Sequence, residues 1–386
     1  MKVICDRGAL LDAVNLVSGV VASRTPRPQL TCVWLSAVKG KDGASLTLAA
    51  TDAEVSIRLV MNRVDVSQAG TALIPADKLR QIVQAQESEP TLTLELEGEA
   101  MHIRGTDAHF KVFGYPAGDF PPVPEFPNGS AWTGPQFSLQ AGTLDSLVAR
   151  TIFATAREHT RYAINGVLLK RDGKKLEMVA TDGRRLALAR ANLTGDSKEG
   201  QPISCIVPTK ALSMLQKLFD DADERVTVAL TDNQVLFAVG PEKGPARALL
   251  ASSLVEGAFP PYEDVIPKDH DIQVAFDRDV LTSAVRRAAL LTNEDSRGVR
   301  LTFNGGEKRV ELSSRAPEMG EAEVNVDLAS YKGSDIEIGF NPAFLVDALR
   351  VVEDPQVIME LKASNKPGLI KSGSEFTYVV MPVSLA

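Results

Sequence analysis

Cysteine is scarce. Cys5, Cys32 and Cys205 stand far apart in a chain of 386 residues, so neither a framework of paired disulfides nor a CxxC metal site is open to them. Histidine is almost as rare, with His102, His109, His159 and His270 scattered along the chain. HExxH, GxSxG, GxGxxG and the Walker-type GxxxxGKS or GxxxxGKT are all missing. Their absence argues against a zinc enzyme, a nucleophile-elbow hydrolase and a P-loop ATPase. Long apolar runs are missing too. Stretches such as Leu16–Ala22 fall short of the ~18–20 residues that a membrane span requires. No signal-peptide pattern opens the chain, so a cytoplasmic location is expected and the sequons at Asn128 and Asn192 carry no meaning. What is present is ordinary globular material, 44% hydrophobic and 24% charged. At ~100–200 residues per domain, two or three domains are expected. The net charge of −8 speaks against a protein that coats nucleic acid with its whole surface, yet allows a local basic face.

The chain repeats itself. Lys2-Val-Ile-Cys-Asp-Arg-Gly-Ala-Leu-Leu-Asp-Ala-Val reads as a short strand feeding an amphipathic helix. Phe137-Ser-Leu-Gln-Ala-Gly-Thr-Leu-Asp-Ser-Leu-Val and Gln273-Val-Ala-Phe-Asp-Arg-Asp-Val-Leu-Thr-Ser-Ala-Val repeat the pattern. A second strand-to-helix signal carries Pro75, Pro208 and Pro342 near the helix start. These prolines recur at nearly equal intervals, close to a third of the chain. Thr51-Asp52 and Thr181-Asp182 each sit between two strand-like runs, as a turn would. Gly118-Asp-Phe-Pro-Pro and Gly257-Ala-Phe-Pro-Pro close the first two thirds as linkers. Alternating runs such as Thr91–Glu97, Val226–Leu230 and Val357–Leu361 read as half-buried strands. Each third therefore predicts two helices and about eight strands. The expected class is α+β, three repeated domains with helices packed on antiparallel sheets, bounded at 1–130, 131–268 and 269–386.

Three such repeats resemble the bacterial DNA polymerase III beta subunit family, the sliding clamps. The resemblance is carried by Ala180-Thr-Asp-Gly-Arg-Arg-Leu-Ala, Gly257-Ala-Phe-Pro-Pro-Tyr and the ending Tyr378-Val-Val-Met-Pro-Val-Ser-Leu-Ala. It spans essentially the whole chain. It implies a head-to-tail homodimeric ring around double-stranded DNA, without catalytic activity, metal or cofactor. It also implies that the ring tethers the replicative polymerase, the clamp loader and other proteins bearing a short binding motif. Helix arithmetic agrees with two copies. Six helices ~10 Å wide enclose an opening of about 10 Å, too small for a duplex, whereas twelve leave about 28 Å.

The resemblance also assigns residues. For the DNA-facing set it matches Arg24, in a proline-flanked loop with Arg27, and the pair Arg161-Tyr162, to which the charges of the candidate lining helices add Arg80, Arg150, Arg157, Lys210 and Lys217. Phosphate contacts of this kind hold without reading sequence, which suits sliding. The partner pocket comprises Ile164, Thr181, Gly183, Arg184, Arg185, Leu186, Pro260 and Val265, with Val379, Val380, Met381, Pro382 and Val383 from the C-terminus and Asn341 and Phe344 nearby. Gly183 permits a tight turn and Met381 repacks around different ligands. The dimer seam joins Phe110 and Val112 to Leu290 and Leu291, with Lys78, Glu318, Glu321 and Glu323 adding charge. Three positions depart from the family: Ala163 where a second tyrosine is common, Asp264 in place of a basic residue, and the tail Val383-Ser-Leu-Ala. A rival reading, a magnesium enzyme built on Asp182, Asp220, Asp221 and Asp223, is weakened by the repetition of Asp52 and Asp182, which suits a turn.

Overall fold

A computed structural model describes residues 1–22, 24–40, 43–127, 132, 134–156, 162–193, 202–292 and 298–384. The first third contributes β1 (Lys2–Asp6), α1 (Arg7–Ser18), β2 (Cys32–Gly40), β3 (Gly43–Thr51), β4 (Val55–Met61) and β5 (Val64–Gln68). It continues with β6 (Gly70–Pro75), α2 (Ala76–Ala85), β7 (Thr91–Glu97), β8 (Ala100–Arg104) and β9 (His109–Phe113). The second holds β10 (Gln136–Gln140), α3 (Ala141–Ala149), β11 (Gly166–Asp172), β12 (Lys175–Thr181) and β13 (Arg185–Asn192). Then come β14 (Ile203–Pro208), α4 (Thr209–Gln216), β15 (Arg225–Leu230), β16 (Gln234–Gly240) and β17 (Ala248–Ser253). The third holds β18 (Ile272–Asp277), α5 (Arg278–Ala288), β19 (Val299–Asn304), β20 (Arg309–Ala316), β21 (Gly320–Asp327) and β22 (Ser330–Lys332). It ends with β23 (Ile336–Phe340), α6 (Pro342–Val351), β24 (Gln356–Leu361), β25 (Gly368–Ser372) and β26 (Phe376–Val380). The expected plan of two helices and about eight strands per third is thus met among the described residues, and the sheets are antiparallel throughout.

The repeated strand-to-helix signal has a physical cause. Asp6 ends β1 and its carboxylate accepts the backbone N–H of Ala9 at 2.8 Å. Asp277 ends β18 and accepts from Asp279 and Val280 at 3.0 and 2.9 Å. Each satisfies backbone donors that a helix start leaves open. The following arginine closes the neighbouring helix. Arg7 donates to the carbonyls of Val83 and Gln84 at the end of α2, and Arg278 donates to those of Val352 and Glu353 just past α6. Leu10, Ala13, Val14 and Val17 of α1 are buried, as are Leu281, Ala284, Val285 and Ala288 of α5. The same spacing puts one apolar stripe on each helix.

The described residues form two compact units, one within 1–144 and 210–254, the other within 145–193, 202–209 and 255–384. The first unit contains a five-stranded sheet, β5-β1-β7-β8-β9, and an eight-stranded sheet, β10-β15-β16-β17-β4-β3-β2-β6. The second contains a nine-stranded sheet, β14-β11-β12-β13-β26-β25-β24-β18-β22, and a four-stranded sheet, β21-β20-β19-β23. In each large sheet, strands from two thirds pair edge to edge. β17 meets β4 with Leu250 opposite Ile57, and β26 meets β13 with Tyr378 opposite Ala187. No described helix is long and apolar enough to cross a membrane.

Candidate functional site

The site is built on the turn between β12 and β13. Asp182 accepts the backbone N–H groups of Arg184 and Arg185, both at 3.0 Å, through one carboxylate oxygen. Thr181 Oγ1 donates to the Arg185 carbonyl at 2.7 Å and accepts from the Gly183 N–H at 3.1 Å. Gly183 sits at φ +84°, a left-handed conformation that glycine adopts without steric cost. These bonds explain why Thr-Asp-Gly is the sequence signature of this turn.

Beside the turn opens an apolar pocket of about 200 Å³. Ile164, Leu186 and Val379 are buried in its floor, and Thr181, Gly183, Arg184 and Arg185 form one wall. Pro260, Val265 and Met381 complete it, with Val265 and Met381 still 47% and 39% exposed. Ten residues expected from sequence therefore converge here. Leu186 and Val379 are opposite each other in the β13–β26 register, so the pocket floor is a strand pair that joins the second third of the chain to the last. Behind it, Ala163, Leu168, Val179, Leu188, Ile206 and Leu369 belong to one buried cluster with the floor residues Leu186 and Val379.

Arg185 is not a rim cation. Its guanidinium donates to Asp182 at 3.0 Å, to Asp347 at 2.7 Å and to the Phe153 carbonyl at 2.7 Å. It also lies 4.3 Å from the Phe344 ring centroid, a cation–π distance. Burial works against its charge, but Asp347, Tyr378 and Asp182 outweigh it and hold the group above its ordinary pKa. Arg185 thus ties the turn to α6, and this is where Phe344 acts. Asn341 caps α6 by accepting the Ala343 N–H at 3.0 Å. Neither lines the pocket.

Other expectations need correction. Val380 is fully buried because strand side chains alternate, so it faces away from the pocket that Val379 lines. Pro382 and Val383 lie outside the lining, and the Val383 N–H anchors the tail by donating to the Gly339 carbonyl at 2.9 Å. Tyr162, expected to face DNA, lines the pocket and is 45% exposed. The sequence reading missed Tyr262, which lines the pocket with its hydroxyl 3.2 Å from Glu177. Burial and Glu177 push its pKa up. Its place just after the repeated Pro-Pro pair was the available signal.

Among the basic residues, Arg24, Arg27, Arg80 and Lys217 are exposed, with no ion pair among the described residues. Lys210 pairs with Asp52. Arg150 is drawn inward, with Glu353 and Glu375 each at 3.4 Å and only 13% of its side chain exposed. Arg157 and Arg161 lie outside the described residues. At the other expected surface, Phe110 and Val112 are half-buried on β9, while Lys78, Glu318, Glu321 and Glu323 are exposed. Leu290 is 73% exposed and Leu291 half-buried.

Three family models cover nearly all of the chain: the N-terminal, central and C-terminal domains of the DNA polymerase III beta subunit, at residues 1–124, 138–261 and 263–384. The beta sliding clamp of Pseudomonas aeruginosa is 34% identical over the full length of both chains, and that of Escherichia coli is 32% identical over the same extent. A crystal structure of the Pseudomonas aeruginosa sliding clamp bound to griselimycin matches with a TM-score of 0.89 at 34% identity, covering all of both chains. The Bacillus subtilis clamp also gives 0.89, at 27% identity and full coverage. The chain belongs to the DNA polymerase III beta subunit family, the beta sliding clamps, which are replication processivity factors and not enzymes.

Proposed function

We propose that two copies close head to tail into a ring around duplex DNA and that the apolar pocket captures peptides from the replicative polymerase, the clamp loader and other partners. The ring reading rests on one observation, the equivalence of strands between thirds. β17 ends the second third's run and pairs with β4; β26 ends the last third's run and pairs with β13. β9 is the corresponding last strand of the first third, and β21 corresponds to β4 and β13. Both are sheet edges without a strand on their outer side among the described residues. Unpaired edges invite pairing, and a joint between two different edges is heterologous, so it closes a ring or grows a filament. β9 carries exposed Lys111 and Phe113, the latter 72% exposed, while Glu321 and Glu323 lie on β21 and Leu290 and Met319 are exposed apolar groups. Phe110, Val112 and Leu291 would be covered with them, and Lys78 and Glu318 would lie at the rim.

Within the ring, Arg24, Arg27, Arg80 and Lys217 would face the phosphates, with Lys210, Arg157 and Arg161 adding charge. The proposed domains remain 1–130, 131–268 and 269–386, and the setting is the bacterial cytoplasm. The test is topological. Protein loaded on a nicked circle should remain bound through gel filtration and fall off once the circle is cut. Leu290→Ala with Leu291→Ala should give a folded monomer that is not retained. A double variant that stays dimeric at low concentration places the seam elsewhere.

A further inference from the structure

The joint between β4 and β17 in the first unit is built like the joint between β13 and β26 in the second. Ser56 lies opposite Ala251 in the one, as Leu186 lies opposite Val379 in the other. Ser56 and Leu186 each follow their turn aspartate by four residues. The Pro-Pro repeats extend the equivalence, because Phe126 falls five residues past Pro121 and Val265 five past Pro260. Val265 is 47% exposed and leaves its pocket open. Phe126 is half-buried and packs on Leu236, Leu249 and Ala251, all three buried.

The groove under Phe126 also carries a charge that its counterpart lacks. Arg58 lies opposite Leu249 and shares its face of the sheet, at the position that Leu188 holds in the second joint. Its Nε is buried and has no hydrogen-bond partner among the described residues. Its ion pair among the described residues is with Glu125, at 3.7 Å, whose side chain is 83% exposed. Such a pair is of the weakly held kind. The backbone adds no hold, since residues 121–127 make no backbone hydrogen bond among the described residues and the prolines at 121, 122, 124 and 127 have no N–H to give. The segment is therefore held by two side chains, an acidic residue and the aromatic one after it.

We propose that this groove is a second binding site, for a linear peptide segment in which an acidic residue directly precedes an aromatic one, and that the chain's own Glu125-Phe126 closes it. The tethered pair acts as a competitor, so a ligand must offer both groups to displace it. A carboxylate seated deeper than Glu125 takes the Arg58 Nε–H as well, a charge-assisted bond that Glu125 does not make. The site is built from the first unit's own residues, so it stands whether or not the second unit's pocket takes peptides.

The probe is the peptide Pro-Pro-Val-Pro-Glu-Phe-Pro, the sequence of residues 121–127, with a photoreactive phenylalanine analogue in place of its Phe. It is titrated against the full-length protein and against a variant carrying Glu125→Ala and Phe126→Ala. The variant should bind it about ten-fold tighter, as for a site freed from a closure that holds about nine-tenths of the time, and irradiation should place the label on β16 or β17. Arg58→Glu, added to that variant, should weaken the peptide about five-fold and leave a peptide with Gln in place of Glu unchanged. Phe126→Val, a milder change that copies Val265, carries the same expectation if the double variant does not fold. Equal affinity before and after opening, a label confined to the Thr181–Leu186 turn or Met381, or a Glu peptide indifferent to Arg58→Glu overturns the site.

Discussion

The turn at Thr51–Val55 and the turn at Thr181–Arg185 are one device used twice. In the first, Asp52 accepts the N–H groups of Glu54 and Val55 at 2.9 and 2.7 Å, and Thr51 Oγ1 donates to the Val55 carbonyl at 3.0 Å. The second repeats those bonds one for one. Even the backbone agrees, with φ +81° at Ala53 and +84° at Gly183. Yet, among the described residues, it is the second that lines the apolar pocket. The difference lies in what the aspartate's other oxygen holds. Asp52 takes Lys210, an exposed ammonium with 46% of its side chain open. Asp182 takes Arg185, whose planar fork also reaches Asp347 and stacks on Phe344. A lysine is a point charge on a flexible stem, and Lys210 adds only a long 3.5 Å bond to the Val20 carbonyl; an arginine joins several elements at fixed angles. The shared turn is scaffold, and the apolar pocket beside the second is made by its neighbours.

Breaking the two anchors should give the widest contrast. Arg185→Ala removes a nearly buried cation and leaves Asp182 and Asp347 without their shared partner, so a loss of about 3 kcal/mol is expected, along with weaker peptide binding. Lys210→Ala should cost less than about 1 kcal/mol. Denaturant titration of both variants checks this, and equal losses would erase the distinction.

Function should divide along the same line. Met381→Ala should weaken binding of a Leu/Phe-containing peptide about ten-fold, because hot-spot pockets concentrate their energy in few residues. Dimerisation and melting should hardly change. Arg24→Glu with Arg27→Glu should do the reverse, reducing salt-dependent DNA association while peptide affinity holds. Deleting the chain from Val380 is a poorer probe than Met381→Ala, because Val380 is fully buried and pairs with both Arg185 and Gly368.

Alkaline pH should strain buried thiols in both units, with Cys32 of the first unit also pushed up, to about 11. Burial pushes the thiols of Cys5 in the first unit and Cys205 in the second up to about 12. Unfolded thiols ionise near 8.5. The folded state therefore holds protons that the unfolded state gives up, and stability is full below that pH and lost as pH rises toward 12. Each thiol contributes a slope of at most about 1.4 kcal/mol per pH unit. Cys5→Ala and Cys205→Ala should each flatten the decline, as read from unfolding midpoints across that range.

The smallest effect concerns the turn residue itself. A Cβ at Gly183 would meet no atom within 4 Å, so Gly183→Ala should cost only the left-handed conformation, about 1 kcal/mol. Ala53→Gly relieves that conformation but loosens the unfolded chain, so a gain below about 1 kcal/mol is expected. A much larger loss at Gly183 would mean that the two turns are less alike than their hydrogen bonds.

The sequence by itself determined the threefold plan. Capping aspartates, helix-start prolines and alternating strands are local signals, read within a few residues, and they recur in the chain as they recur in the structure. Most of the pocket was legible only through the family resemblance that the Thr-Asp-Gly turn and the C-terminal strand carry, since patterning alone would read that strand as an ordinary edge. Only the tertiary structure decided which side chains face inward and which charges are free. Val380 and Val379 are adjacent in sequence, yet they point to opposite faces once β26 pairs with β13. Arg150 and Arg185 look like surface cations until Glu353, Glu375 and Asp347, all far along the chain, come to meet them. Alternation along a strand is local, but which face meets the core and which charges meet across the chain depend on what folding brings together.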